Sequence, residues 1–340
     1  MKTAIYYGPK DVRIEERPNP IAGPKDVVVK IKKAGICGSD ITAWLYDGKY
    51  VGVFPNSEFG HEMVGVVDSI GSEIKEIKVG DRVFVNPTCA KRKGLYVTDM
   101  AGAFSEYVCI EDAKYEYNLF MLPDNVSYDE AVVMEPFCVG THGKNVPGVK
   151  AGNNVVIYGA GTIGLCSLNA LIGQGVKKPV IVDINDNRLA LAKEMGATPF
   201  NPNTMKPMKE FLSEHFGTVP NPLGVLMPNV DIFVDCAGVP TIPDEFITLA
   251  KRGAKLSIVA VYKQPIEVAF SKIMGSEAVI MGSNGYTVED IHEVIDNIAG
   301  NKTHINKIIT HYFPQEKIVE AFQTASDPST GALKVVIDFD

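Results

Sequence analysis

The chain has 340 residues and a net charge of −8, from 33 Lys and Arg against 41 Asp and Glu. A chain of this length normally forms two or three domains, which excludes a small scaffold held together by disulfides. Its 46 % apolar and 22 % charged residues are typical of a folded globular protein and exclude a disordered chain. Because the negative charge repels phosphate, we expect neither a nucleic acid nor a membrane surface as a partner.

The cysteines and the N-terminal segment indicate the cellular compartment. Six cysteines, at positions 37, 89, 109, 138, 166 and 236, are too far apart for a Cys-x-x-Cys pair. The first 20 residues lack the long apolar stretch of a signal peptide. The uncharged segment 151–176 contains six glycines and several amides, so it predicts a strand, a turn and a helix rather than a membrane span. We therefore predict a cytoplasmic protein with reduced cysteines.

The chain has two parts with different patterns of apolar residues. Up to about residue 110 the apolar runs are short, β-branched and separated by Gly, Pro or Asp, which predicts many short strands. From about residue 153 compact apolar runs such as VVIYG and PVIVDI alternate with segments of helical period, as far as EDIHEVIDNIAG. This alternation predicts an α/β fold with a doubly wound parallel sheet of the Rossmann type behind a β-rich first part.

A glycine-rich motif lies in the first strand-turn-helix unit of the second part. Gly159 permits the tight turn, Gly161 lets backbone N–H groups approach a pyrophosphate, and Gly164 lets the helix and the strand pack closely. Asp183 follows the next predicted strand, where a carboxylate accepts hydrogen bonds from the adenosine ribose. An acid here repels a 2′-phosphate, so the motif favours NAD over NADP, although Arg188 lies nearby. The alternative interpretation is an ordinary βαβ turn with an incidental acid.

Four scattered residues are candidate metal donors: Cys37, His61, Glu62 and Glu135. A thiolate, an imidazole and carboxylates suit a four-coordinate zinc, and a site with three protein ligands keeps one position open for chemistry. Taken singly, each has a simpler structural explanation as a buried cysteine, a packed or solvated histidine, or an acid at the start of a helix.

The segment Gly60-His61-Glu62-x-x-Gly65 resembles the zinc signature of the medium-chain alcohol dehydrogenases. CGSD at 37–40, VGDRV at 79–83 and EP at 135–136 occur in the order of that family, so the resemblance covers essentially the whole chain. Within the family the chain is most similar to the polyol and diol branch, which includes sorbitol, 2,3-butanediol and, less closely, threonine dehydrogenases.

The resemblance implies a zinc-dependent enzyme that transfers a hydride between an alcohol and NAD. Cys37, His61 and either Glu62 or Glu135 would bind the catalytic zinc, with the other carboxylate near the metal-bound water. Ser39 would pass the alcohol proton outward, with a simple turn serine as the alternative, and we expect Asp40 to fix the loop of the thiolate. Family members with a second, structural zinc carry four close cysteines where this chain has only Cys89 between 86 and 106, so we predict one zinc per chain.

The resemblance also implies the organisation of the chain. We expect a β-rich, GroES-like catalytic domain from 1–147 and 286–340, with an NAD-binding Rossmann domain from 148–285 between them. We expect a homodimer or homotetramer that associates through the edge of the nucleotide-binding sheet, in the segment 254–283. The predicted cofactor-binding residues, of which Asn284 rests on the resemblance, are Gly159, Gly161, Thr162, Ile163, Gly164, Asp183, Arg188, Cys236, Val261 and Asn284.

The substrate prediction rests on departures from the sorbitol enzymes. Those enzymes carry an aromatic residue where Ala43 stands and an Arg-Tyr pair where this chain has Gly285-Tyr286, which argues against sorbitol itself. The segment GSNGYTVEDI is more like butanediol dehydrogenases, so we favour a short vicinal diol or its hydroxyketone over sorbitol or threonine. Two other functions compete, namely a non-catalytic nucleotide-binding protein and a zinc-free quinone or enoyl reductase on the same fold.

Overall fold

The computed structural model describes residues 1–90, 102–221 and 224–339, which form two compact units. The first unit comprises Met1–Glu135 and Asn306–Asp340, and the second comprises Pro136–Ile305. The segments 136–147 and 286–305, which the sequence analysis assigned to the catalytic domain, therefore belong to the second unit. One reason is that His142 Nδ1 lies 2.7 Å from Asp290 Oδ2, which ties these two segments to each other.

The described strands are β1 (Lys2–Gly8), β2 (Asp11–Glu16), β3 (Val27–Gly35), β4 (Ser57–Glu58), β5 (Glu62–Ile70), β6 (Arg82–Val85), β7 (Tyr107–Ile110), β8 (Leu119–Met121), β9 (Val155–Tyr158), β10 (Val180–Val182), β11 (Thr198–Phe200), β12 (Thr218–Pro220), β13 (Leu226–Pro228), β14 (Ile232–Asp235), β15 (Lys255–Ile258), β16 (Val279–Gly282), β17 (Ile309–Pro314) and β18 (Lys334–Asp338). The described α-helices are α1 (Gly38–Leu45), α2 (Tyr128–Ala131), α3 (Met134–Asn145), α4 (Thr162–Gly173), α5 (Asp186–Glu194), α6 (Met208–Phe216), α7 (Ile242–Leu249), α8 (Phe270–Ser276), α9 (Val288–Ala299) and α10 (Ile318–Ser326). Among the described residues, no helix is both long and apolar enough to span a membrane.

The first unit is built on β-sheets, as the short β-branched runs predicted. Its larger sheet has the order β17-β18-β3-β5-β6-β8, with β7 also paired to β3, and a smaller sheet has the order β2-β1-β4. Aromatic side chains fill the core, where the Phe104 ring centroid lies 5.0 Å from that of Phe59 and 5.7 Å from that of Phe322 on α10. Strands β3 and β5 run antiparallel with Gly35 opposite Glu62, which sets the end of β3 beside the start of β5.

The second unit is a six-stranded sheet of order β11-β10-β9-β14-β15-β16. All five strand pairings are parallel, and helices join consecutive strands, so the predicted α/β class with a Rossmann-type sheet is confirmed. The near-continuous apolar strands VVIY and IFVD are fully buried, as expected for a parallel sheet covered on both faces. The order reverses between β9 and β14, and the carboxyl ends next to such a switch point form the usual ligand site of open α/β sheets.

Candidate active site

The thiol of Cys37 lies at the amino end of α1. Cys37 is the N-cap residue of this helix, and its backbone N–H donates to Asp40 Oδ2 at 2.8 Å. Burial raises the pKa of Asp40 to about 6, against the lowering effects of His61 and of the Cys37 amide. The expected role of Asp40, which is to fix the loop of the thiolate, is confirmed.

Two glycines make room for the histidine and the glutamate. Gly60 has φ +87°, and a Cβ there would lie 2.6 Å from Cε2 of Phe104, so no larger residue fits the turn that precedes His61. A Cβ on Gly35 would lie 2.1 Å from Oε2 of Glu62. The Glu62 side chain therefore occupies space that only a glycine leaves free, and it is completely buried there.

The structure brings three of the four candidate donors together. One ligand atom each from Cys37, His61 and Glu62 lie within 4.8 Å of one another. Donors on one tetrahedral zinc at bond lengths of 2.0–2.3 Å are about 3.3–3.8 Å apart, so closure around an ion requires shifts of no more than about 1 Å. Within the described residues this is the cluster of His, Cys, Asp and Glu side chains that has metal-binding spacing.

Glu135 is the fourth candidate, in the first turn of α3. It is 8 % exposed, and burial raises its pKa to about 7, with further electrostatic contributions from His61, Glu62 and Lys334. Those contributions show that Glu135 belongs to the same electrostatic environment as the three clustered donors. A raised pKa at a buried carboxyl suits a group that holds or moves a proton.

The surroundings of His61 are strongly anionic. Burial alone lowers the pKa of the imidazole, but the Cys37 thiolate and the carboxylates of Asp40 and Glu135 outweigh it and raise the pKa well above its usual value. An imidazole in such surroundings either takes up a proton or shares its lone pair with a cation. The donor set of sulfur, nitrogen and carboxylate oxygen is the one that zinc prefers, so the residues present fit this metal.

Lys334 is a functional candidate that the sequence analysis missed. Its Nζ lies 2.7 Å from both Oε1 and Oε2 of Glu62 and donates to the carbonyl of Ile36 at 3.0 Å. Both side chains are buried, at 3 % and 0 % exposure. Because 272 residues separate the partners, no local pattern links them, and the only signal was a charged residue at the start of the apolar run KVVID. Lys334 compensates the charge of Glu62 and holds its carboxylate in place.

The glycine motif forms the loop between β9 and α4. Gly159 has φ +95°, and a Cβ on Gly164 would lie 1.8 Å from the carbonyl oxygen of Gly159, so a larger residue at 164 separates the helix from the strand. The nearest atom to a Cβ added at Gly161 would be Nη1 of Arg188, at 4.0 Å, so the protein itself leaves this position open. Thr162 and Ile163 begin α4, whose free backbone N–H groups suit a phosphate. These features fit the pyrophosphate of a dinucleotide.

Asp183 directly follows β10 and fixes the glycine loop. Its Oδ2 accepts a hydrogen bond from Ala160 N–H at 2.7 Å, and its Oδ1 accepts one from Asn185 N–H at 2.9 Å. Each carboxylate oxygen keeps a second lone pair for a ligand hydroxyl. Arg188 on α5 brings a guanidinium to the same loop.

The other predicted cofactor residues follow the carboxyl ends of neighbouring strands. Cys236 follows β14, Val261 lies in the loop after β15 and is 86 % exposed, and Asn284 follows β16. Burial raises the pKa of Cys236 to about 12, so its thiol is protonated and unreactive at neutral pH. The sheet thus brings the predicted residues of the second unit to one edge.

Asp235, which the sequence analysis did not single out, orders the loop that carries Cys236. Its Oδ1 accepts hydrogen bonds from the N–H groups of Ala237 and Gly238, each at 2.9 Å, and its Oδ2 accepts one from the Tyr262 hydroxyl at 2.5 Å. These three hydrogen bonds give Asp235 a structural role in holding the loop.

One argument of the sequence analysis loses its structural basis, and another is not tested by the described residues. Ala43 is completely buried in the core, so the position used to argue about substrate size faces the interior. The segment 86–106, on which the predicted absence of a structural zinc rests, lies partly outside the described residues, because 91–101 are not described. That absence stays a prediction.

Comparisons with known proteins agree with this geometry. Residues 23–124 match the alcohol dehydrogenase GroES-like domain, and residues 162–300 match the zinc-binding dehydrogenase domain. Sorbitol dehydrogenase of Bos taurus is 31 % identical over 99 % of this chain and 95 % of its own length. The crystal structure of 2R,3R-butanediol dehydrogenase from Bacillus subtilis matches with a TM-score of 0.87 and 26 % identity, over 100 % of this chain and 99 % of that one. An alcohol dehydrogenase from Escherichia coli complexed with NADH matches with a TM-score of 0.85 and 28 % identity, over 100 % of this chain and 99 % of that one.

The two domains and the donor cluster define a metal-dependent oxidoreductase with a Rossmann-type nucleotide-binding unit. More particularly, the chain belongs to the zinc-dependent medium-chain alcohol dehydrogenase family, in its polyol and diol branch. The family and the enzyme class that the zinc signature and the glycine motif indicated are confirmed.

Proposed function

We propose that the protein oxidises a short vicinal diol to the hydroxyketone, reversibly and with NAD. The observation that carries the proposal is the grouping of Cys37, His61 and Glu62 within 4.8 Å of one another. When bound, zinc supplies a Lewis acid for the alcohol oxygen and NAD supplies the acceptor for the hydride.

Glu62 is the third metal donor in this proposal, and Glu135 is the acid-base group. The three clustered donors include Glu62 and not Glu135. Lys334 offsets the negative charge of Glu62, so this carboxylate is tolerated in a buried position before a divalent ion binds. Glu135, with its pKa raised to about 7 by burial, accepts or returns a proton at its carboxylate oxygen. Ser39, half-buried in the first turn of α1, passes the proton outward.

NAD is the proposed cofactor because of Asp183. Its carboxylate lies at the end of β10 beside the glycine loop, where it accepts hydrogen bonds from ribose hydroxyls and repels a 2′-phosphate. Arg188 contributes positive charge to the same loop and serves the pyrophosphate in this proposal. The Escherichia coli relative complexed with NADH supports this assignment.

The preference for a short diol rests on the loop after β16. Gly285 has φ +63°, and a Cβ added there would have no neighbouring atom within 4 Å, so position 285 itself offers no side chain to hold the additional hydroxyls of a long polyol. The structural likeness to the butanediol dehydrogenase supports the shorter substrate. Sorbitol and threonine are the competing substrates.

Homo-oligomerisation is proposed through the edge of the nucleotide-binding sheet. Strand β16 is the edge strand, and Val279 on it is 41 % exposed. Phe270 and Met274 on the preceding helix α8 are 77 % and 75 % exposed. An edge strand beside large exposed apolar side chains favours pairing with a second copy in a dimer or tetramer. We also propose a cytoplasmic location, supported by six free cysteines.

A substrate screen combined with metal analysis tests the function. We expect NAD reduction with 2,3-butanediols to exceed that with sorbitol, threonine or simple secondary alcohols, about one zinc per chain, and loss of activity on chelation. Cys37→Ser should bind NAD and lose turnover, and it should bind zinc more weakly than the wild-type protein. Glu62→Gln should lose zinc, whereas Glu135→Gln should keep zinc and lose turnover. Tight NAD binding without metal or turnover on any alcohol would instead indicate a non-catalytic nucleotide-binding protein.

A further inference from the structure

A cavity of about 350 Å³ opens beside Gly159 and Asp183 in the second unit. Its size falls in the range of ligand pockets, and its walls are mainly apolar. The apolar lining residues are Val182, Ile184, Pro202, Met208, Ala237, Val239 and Ile242. Since the proposed function assigns Asp183 to the ribose, the remainder of this cavity is the space for the adjoining base.

Three polar side chains in this lining have no role in the proposed function so far, namely those of Tyr158, Thr241 and Glu245, of which Thr241 is exposed. Tyr158, at the end of β9, is 2 % exposed, and its hydroxyl is among the buried polar atoms of the described residues that lack a hydrogen-bond partner. Glu245 lies half-buried in the first turn of α7. The two groups interact, because burial first and then the Glu245 carboxylate raise the pKa of Tyr158 well above its usual value. The Tyr158 hydroxyl thus lies near Glu245 without a hydrogen bond of normal geometry, and the half-buried carboxylate keeps acceptor sites that a bound polar donor would satisfy.

The simpler explanation for Glu245 is that its negative charge interacts favourably with the amino end of the α7 dipole, but Asp244 already supplies that charge. Asp244 is also in the first turn of α7, and it is exposed, with its Oδ1 3.2 Å from Nζ of Lys272. A helix-dipole role requires no burial and no contact with a cavity. The location of Glu245 in the cavity wall therefore needs a separate explanation.

We propose that Glu245 selects the adenine base of the dinucleotide by accepting a hydrogen bond from its 6-amino group, with Tyr158 as the residue that positions the carboxylate. This inference rests on the proposed NAD-dependent function. A base with a 6-oxo group places an acceptor against the carboxylate, and two facing acceptors leave both unpaired in an apolar cavity. Sites that hydrogen-bond one such group reject the mismatched analogue far more strongly than apolar pockets reject a change of size.

The test compares binding of NADH and its hypoxanthine analogue to the full chain, by fluorescence titration at neutral pH. We expect the wild-type protein to bind NADH about 5- to 150-fold more tightly, because one mismatched buried hydrogen bond costs about 1–3 kcal/mol. Glu245→Gln should bring the two dissociation constants within about twofold of each other, since an amide can turn to face either base. Asp244→Asn, the matched control on the same helical turn, should keep the wild-type ratio.

Tyr158→Phe tests the positioning role through the pH dependence of the ratio. The Tyr158 hydroxyl lowers the pKa of Glu245, which burial raises, so its removal should raise that pKa further. A protonated carboxyl donates as well as accepts, so the preference for adenine should be lost at a higher pH in Tyr158→Phe than in the wild-type protein. An unchanged pH dependence in this variant would refute the positioning role.

The outcomes separate this inference from the proposed function. Equal affinities of the wild-type protein for the two dinucleotides, or an unchanged ratio in Glu245→Gln, would overturn the inference while NADH binding upheld the cofactor assignment. Failure to bind either dinucleotide would overturn the cofactor assignment and this inference with it.

Discussion

The buried pair of Lys334 and Glu62 offers a quantitative test of the first unit. The ammonium lies 2.7 Å from both carboxylate oxygens, and both side chains are at most 3 % exposed. At an effective dielectric constant of about 20, charges at this distance attract by about 6 kcal/mol, which desolvation partly offsets. Removal of one partner of such a pair destabilises a protein by about 3–5 kcal/mol, because the other charge stays buried without compensation.

We therefore expect Lys334→Met to lower the melting temperature of the first unit by about 6–20 °C, measured by differential scanning calorimetry in the presence of a chelator. Without the chelator, bound zinc should compensate part of the loss. The double variant Glu62→Gln, Lys334→Met should recover most of the stability, because it leaves no unpaired charge.

Lys317→Met is the matched control. Lys317 also forms an ion pair, with Glu320 at 3.2 Å, but the two side chains are 55 % and 58 % exposed. Water screens this pair, so the melting temperature should stay within about 2 °C of the wild-type value. A similarly small change in Lys334→Met, or a double variant as unstable as the single one, would refute the reasoning.

Three further predictions concern the second unit. Gly161→Ala should leave the melting temperature unchanged, because no atom lies nearer than 4.0 Å to the new methyl group, but it should weaken NADH binding measured by fluorescence titration. Gly164→Ala should weaken NADH binding and also lower the melting temperature, since its methyl group would lie 1.8 Å from a backbone oxygen. Unchanged NADH binding in Gly161→Ala would contradict the assignment of this glycine loop to the pyrophosphate. Asp183→Asn should lower kcat/KM with NAD by about 10- to 150-fold, which is the loss expected for one hydrogen bond to a charged group, and should raise kcat/KM with NADP. An unchanged cofactor preference would contradict the assignment of Asp183 to the ribose. Met274→Glu should reduce the oligomer mass in analytical ultracentrifugation, whereas an unchanged mass would argue against the β16 edge as the interface.

The sequence sufficed for features whose physical cause is local. The spacing of Gly159, Gly161 and Gly164 after an apolar strand predicts a phosphate-binding loop, because each glycine meets a steric demand of that one turn. Asp183 was predictable for the same reason, since the carboxyl ends of neighbouring parallel strands share one edge of the sheet. The donors of the first unit were identified through the resemblance, since Cys37 and His61 taken singly are common residues.

Features that depend on distant parts of the chain were not predictable. Lys334 meets Glu62 across 272 residues, and only the pairing of β18, β3 and β5 brings them together. The role of Glu245 depends on the packing of α7 beside the end of β9, whereas its sequence context shows only an acid near a helix start. Burial of Ala43 was missed because the short sequence of α1 does not show which of its faces packs into the core.

X-ray absorption spectroscopy of the zinc-loaded protein tests the central claim most directly. The grouping of Cys37, His61 and Glu62 predicts a four-coordinate zinc with one sulfur neighbour at about 2.3 Å and the remaining nitrogen and oxygen neighbours at about 2.0–2.2 Å. In Cys37→Ser the sulfur neighbour should disappear. A zinc environment without sulfur in the wild-type protein, or one with several sulfur neighbours, would contradict the account.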